Sequence, residues 1–260
     1  MLHRERNLKM ITISLVNHKG GVGKSSIALA IAQGLDRTGL KTLFLDLDPQ
    51  GNSSYALSAK EQGINAYQLL KQEPINLYNL ENKDGMDYIP SNSILSVIEP
   101  KLELNALKDA LEPLKDKYNY CIIDTPPALN LLTLNALNAS DELLIPAKTD
   151  IFSFKGIEQL SETIQAVQDT SNNKLDILGI VFNMYDSRTV LSRLINANFE
   201  NLASKLNTRI LTSKIRNAEV VNQCLVAQQS IYDYAPTSKV ATDYENLCLE
   251  ILDLEKEIKF

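Results

Sequence analysis

The stretch Val16-Asn17-His18-Lys19-Gly20-Gly21-Val22-Gly23-Lys24-Ser25-Ser26 decides how the rest of this chain is read. An apolar run from Met10 leads into it, and helical spacing over 25–35 leaves it. Strand, glycine loop and helix start follow in that order. Such a loop turns successive backbone N–H groups inward, and the helix N-terminus adds partial positive charge. The combination holds a polyphosphate, with Lys24 reaching the β/γ-phosphates and the Ser25 hydroxyl ligating Mg²⁺. The usual pattern G-x-x-x-x-G-K-[ST] has glycine where this chain has His18, and a second lysine, Lys19, stands directly before the glycines.

The chain has 260 residues, enough for a large buried core, and reads as a short tail over 1–9 and a single domain over 10–260. No apolar run approaches 18 residues, so no transmembrane helix is expected. The first ten residues are charged and lack the apolar centre of a signal peptide. Cys121, Cys224 and Cys248 have no metal or redox spacing, which fits reduced thiols in a cytosolic protein. The formal net charge of −6 argues against bulk electrostatic affinity for nucleic acid or anionic lipid. Binding to either would need a local basic patch.

Residues 41–47, K-T-L-F-L-D-L, read as a second buried strand that reaches Asp46, followed by the polar loop D-P-Q-G-N-S-S from Asp48. Carboxylates at the carboxyl end of a parallel strand sit where open α/β sheets bind ligands. Residues 55–85 give weak signals, and 86–89 is a short strand candidate. Leu104, Leu107, Leu111 and Leu114 have helical spacing. The run Y-N-Y-C-I-I-D-T-P-P over 118–127 is an apolar strand ending in Asp124, placed as an aspartate that holds the magnesium shell would be. Further strands are expected over 142–147, 178–182 and 209–211, and helices over 156–167, 191–206, 220–227 and 242–258. The alternation predicts a doubly wound α/β domain with a mainly parallel sheet flanked by helices.

Together these pieces resemble the ParA/Soj-type partition ATPases of the ParA/MinD family. The resemblance rests on N-H-K-G-G-V-G-K-S-S (the deviant Walker A form), D-L-D-P-Q-G-N-S-S and C-I-I-D-T-P-P. It continues through I-L-G-I-V-F-N-M-Y-D-S-R-T over 177–189 and Q-S-I-Y-D-Y-A-P-T-S-K-V-A-T-D-Y over 229–244. Two departures stand out: Ser25 where threonine is common, and K-I-R-N over 214–217 where many members read I-P-R-N.

The resemblance implies an ATP- and Mg²⁺-dependent hydrolase that is slow until DNA and a partner protein stimulate it, far below a median enzyme's ~10 s⁻¹. Lys24 and the segment Gly20, Gly21, Val22, Gly23, Ser25 and Ser26 would bind nucleotide, with Ser25 and Asp124 on Mg²⁺. Asp46 would support Mg²⁺ or the loop. Lys19 would reach the nucleotide of a second subunit in an ATP-bound homodimer, and Asp48 would position the attacking water. Asn183 would contact adenine or simply form a turn, and Asp150 or Arg216 could frame the base. Basic residues of the C-terminal half, here Arg188, Arg193, Lys205, Lys214 and Arg216, would hold DNA without sequence preference, with salt-dependent affinity. A ParB-like centromere-binding protein would trigger hydrolysis, in the cytoplasm on the nucleoid, and the cargo would be a plasmid or chromosome or else a protein cluster.

Three other readings need features of their own. A MinD-like membrane ATPase needs a basic amphipathic C-terminal helix, whereas Y-E-N-L-C-L-E-I-L-D-L-E-K-E-I-K-F is rich in acidic residues. An iron–sulfur protein needs clustered cysteines. A ligase of the same superfamily, such as an amide synthetase, should lack Lys19 and the D-P-Q-G-N block.

Overall fold

The computed structural model describes residues 9–60, 63–73, 80–186 and 190–258. Along the chain the elements are β1 (Ile11–Leu15), α1 (Lys24–Arg37), β2 (Thr42–Asp46), α2 (Asn52–Ala56), α3 (Ala66–Leu70), β3 (Glu81–Lys83), β4 (Met86–Ile89), α4 (Leu95–Ile98) and α5 (Ala106–Leu111). There follow β5 (Tyr120–Asp124), α6 (Leu131–Ala139), β6 (Glu142–Ala147), α7 (Ile151–Thr170), β7 (Asp176–Tyr185), α8 (Val190–Lys205), β8 (Ile210–Arg216), α9 (Val220–Val226), α10 (Ile231–Tyr234) and α11 (Lys239–Ile258).

The strands form one sheet in the order β3-β4-β2-β5-β1-β6-β7-β8. Every pairing is parallel except β3 with β4. This is the expected doubly wound α/β architecture. Strands β2, β5 and β6 are buried at every residue, as strands covered by helices on both faces must be. One apolar layer joins α1, α9, α10 and α11 to the sheet through Ile27, Ile31, Leu35, Phe44, Tyr232, Tyr244 and Leu247. On the other face α3, α5 and α6 pack around Leu43, Leu45 and Ile123, and α7 and α8 around Ile145, Ile157 and Phe182.

Several elements depart from the sequence expectation. Helix α6 reads L-L-T-L-N-A-L-N-A, apolar nearly all round, so it has no stripe for periodicity to find. Helix α7 starts at Ile151, because the Asp150 side chain accepts from the Ser153 N–H and caps it. Strand β8 continues to Arg216 through polar T-S-K. It is an edge strand, and the Glu250 carboxylate of α11 accepts the N–H groups of Thr212 and Ser213 at 2.7 and 2.8 Å.

Candidate nucleotide-binding site

The central strand β1 has β5 on one side and β6 on the other, so the chain winds away from it in both directions. Ligands of open α/β sheets bind outside the carboxyl ends of the strands at such a switch point. Leu15 pairs with Asp124, and Asp124 with Asp46, so three neighbouring strands end at one level. The glycine loop leaves β1 there and enters α1 at Lys24.

The loop is held at several points. Asn17 donates from Nδ2 to the Pro146 carbonyl at 2.6 Å and accepts the Lys19 N–H at 2.8 Å, which ties the loop's start to the end of β6. Gly21 and Gly23 have φ of 70° and 88°, a left-handed backbone that side chains with a Cβ rarely adopt. Lys24 is buried and its ammonium donates to the Asn17 carbonyl at 3.3 Å, inside its own loop. Burial pushes the Lys24 amine below its ordinary pKa, and the Asp124 and Asp48 charges oppose that shift.

Beneath the loop lies a network of carboxylates and hydroxyls. Asp124 is fully buried and accepts from the Ser53 hydroxyl at 2.7 Å, and Ser25 is among the groups that oppose the upward shift of its carboxyl. Its second oxygen, Oδ1, is buried with no partner at hydrogen-bond distance. Both oxygens of Asp46 are occupied, one by the Asp48 N–H at 3.0 Å, the other by the N–H and hydroxyl of Ser54 at 2.9 and 2.7 Å. Of the two roles expected for Asp46, its geometry serves the loop rather than direct metal ligation. Burial pushes the carboxyls of Asp46 and Asp124 upward, and for Asp46 the Asp124 charge adds to it. Asp48 is buried beside them, with its Oδ1 taking the Gln50 N–H and its carbonyl taking the Ser91 hydroxyl at 2.6 Å. Asn17, Ser53 and Ser91 are site residues that sequence reasoning missed. Ser53 was within reach, since it sits in the quoted D-P-Q-G-N-S-S run.

Lys19 does not join Lys24. Its ammonium lies 2.8 Å from both oxygens of Asp150, 5.6 Å from the Phe152 ring centre and near the Ser153 hydroxyl. Burial would raise the Asp150 pKa, but the Lys19 ammonium and the Ser153 N–H outweigh it and hold the carboxyl below its ordinary range. The second turn of α7 presses on the loop so closely that a Cβ on Gly156 would stand 3.3 Å from Asn17 Oδ1. Asp150 is therefore occupied by Lys19.

The residues expected at the base and on DNA are spread out. Asn183, buried at the end of β7, donates to the Val22 carbonyl at 2.8 Å, so it faces the loop. Arg216 is exposed and holds Asp243 through two N–H bonds of 2.6 and 2.7 Å. Lys214 lies 4.6 Å from the Tyr185 ring centre. Lys205 sits apart from both, at the end of α8 beside Asp176, where β7 begins, and thus at the opposite edge of the sheet. Arg188 lies outside the described residues, and Arg193 is placed only as a member of α8.

The donor set fits a magnesium polyphosphate. Among the described residues no group of three or more His, Cys, Asp or Glu could hold a metal alone. Mg²⁺ here would rely on phosphate oxygens, as Mg²⁺ at nucleotide sites does. Ser25 and the unpartnered Asp124 Oδ1 would supply the protein's share. Fold and site together define a P-loop nucleotide-binding protein.

The family model described as "AAA domain" matches residues 10–177. The chain is 34% identical to the chromosome-partitioning ATPase Soj of Thermus thermophilus over 248 residues, 94% of this chain and 96% of that protein. It is 32% identical to the sporulation initiation inhibitor protein Soj of Bacillus subtilis, over 95% of this chain and 97% of that one. Among solved structures, cobyrinic acid a,c-diamide synthase from Mycobacterium smegmatis with a bound ATP analogue and magnesium superposes with a TM-score of 0.80 at 28% identity, covering 95% of this chain and 96% of that one. The chain belongs to the family of that AAA-domain model and to the Soj/ParA family.

Proposed function

We propose that this chain is an ATP-driven dimerising switch that hydrolyses ATP slowly, binds DNA without sequence preference and positions a plasmid or chromosome with a ParB-type partner. The observation that carries the reading is one loop with two lysines at two addresses. Lys24 turns into its own loop, whereas Lys19 bonds across to α7. In this reading the Gly20–Ser25 amides and Lys24 hold the phosphates of the subunit's own ATP. Ser25 and Asp124 would hold Mg²⁺, which would supply positive charge to the phosphoryl oxygens. Asp48 orients the attacking water. Lys19 leaves Asp150 to meet the nucleotide of the facing subunit, which ties occupancy to dimerisation. Lys214 and Arg216, with Arg188 and Arg193, contribute to the DNA-binding face. The protein then works in the cytoplasm on the nucleoid. A cargo other than DNA would use the same cycle.

The test is the assembly state. Wild-type protein in ATP and Mg²⁺ should sediment as a dimer and Lys19→Ala as a monomer that still binds ATP. An ATP-dependent dimer of Lys19→Ala would remove the trans role. The likeness to cobyrinic acid a,c-diamide synthase supports a second reading, a ligase that couples ATP to amide formation. DNA-stimulated turnover favours the switch, and turnover that needs a small carboxylic acid and an amide donor favours the ligase.

A further inference from the structure

The amide of Asn183 stands where β7 meets the glycine loop. Its Nδ2 donates to the Val22 carbonyl at 2.8 Å, and its Oδ1 accepts the Met184 N–H at 2.9 Å. Met184 itself has a left-handed backbone, with φ of 50°, which a non-glycine residue adopts at some cost. The two bonds together fix which end of the carboxamide faces the loop, because one partner is a donor and the other an acceptor. A Cβ on Gly23 would lie 1.9 Å from Asn183 Nδ2. The loop and the end of β7 thus fit each other at Gly23 without room for a methyl group.

A trans peptide plane points its carbonyl and its N–H in opposite directions. Anchoring the Val22 carbonyl on Asn183 therefore turns the Gly23 N–H away from β7. We propose that Asn183 is a positioning residue for the glycine loop, aiming the Gly23 N–H at phosphate and setting Lys24 at the start of α1, rather than chiefly a base contact. This rests on the nucleotide reading above.

A ligand without a base separates the two roles. Magnesium tripolyphosphate and MgATP should both bind Asn183→Ala about ten-fold more weakly than wild type, the effect of one lost hydrogen bond to a buried carbonyl. Asn183→Asp keeps the side-chain volume and the acceptor for Met184 and removes the donor, so it should show the same parallel loss if the alanine variant does not fold. Weakened ATP with unchanged tripolyphosphate would make Asn183 a base contact and overturn the proposal, as would unchanged binding of both. If wild type binds neither ligand, the nucleotide reading fails instead.

Discussion

Buried carboxyls lie at both edges of the sheet, and they are satisfied in opposite ways. At the carboxyl edge Asp46, Asp48 and Asp124 are met by N–H groups and hydroxyls, with the Lys24 charge close by. One Asp124 oxygen is left without a hydrogen-bond partner. At the amino edge Glu142, 6% exposed at the start of β6, faces Glu255 of α11, with Asp141 and Asp176 nearby. Burial first, and then the Glu255 contact, pushes the Glu142 carboxyl up to about 9. Like charges this close disfavour ionisation of Glu142. The comparison teaches that burial of an acid does not make a site. At the carboxyl edge N–H groups, hydroxyls and the Lys24 charge converge on the acids beside the glycine loop, whereas at the amino edge Glu142 faces other acids.

The largest expected effect is at Lys24. Lys24→Ala should weaken MgATP binding at least ~30-fold, in line with the ~2 kcal/mol or more lost on truncating a buried charged partner. Isothermal titration would read it, and near-normal affinity would break the comparison at its centre. Asp124→Asn should bind nucleotide within a few-fold of wild type and lose about 100-fold or more in Mg²⁺-dependent turnover, the usual scale for one group aimed at developing charge. Ser53→Ala removes one bond to Asp124 and should reduce turnover by about ten-fold or less. A magnesium titration of the rate would sharpen its role, since a loosened Asp124 should need more Mg²⁺ for half-maximal activity.

The smallest effect on activity is expected at the amino edge. Glu142→Gln should leave ATP turnover unchanged and alter the pH dependence of stability. Glu142 has a folded pKa of about 9 against an ordinary 4.5, so the folded state holds the extra proton between them. Its favourable contribution is full below about pH 4.5 and is lost as pH rises toward 9, where the neutral acid is forced to ionise. Wild-type Tm should therefore fall over that window more steeply than the Tm of Glu142→Gln. Equal slopes would mean that Glu142 does not hold the extra proton, and lost turnover would mean that the two edges are not functionally separate.

Much of the carboxyl edge was legible because its chemistry is local. The glycine loop, the strand ending in Asp124 and the D-P-Q-G-N-S-S run are contiguous, and each residue type there has few other uses. Ser91 was not legible, because a single serine in a loop has many ordinary roles, and Asn17, though inside the quoted glycine stretch, takes its partner from β6. Asn183 was found, yet its direction could not be read, since β7 and the loop are brought together only by the crossing of the chain. The basic residues show the same limit: Lys205 shares a sequence region with Lys214 and Arg216, but α8 carries it to the other edge of the sheet.

The sequence by itself determined the class of fold, the phosphate-holding loop and the aspartates around it, because alternation, glycine spacing and strand ends are properties of short runs. Only the tertiary structure decided where the shared parts go. It placed Lys19 on Asp150, put Asn183 against Gly23 and closed Asp46 into its own loop. The physical reason is that a charge or an amide takes the partner that packing brings within about 3 Å, and packing joins residues that lie far apart in the chain.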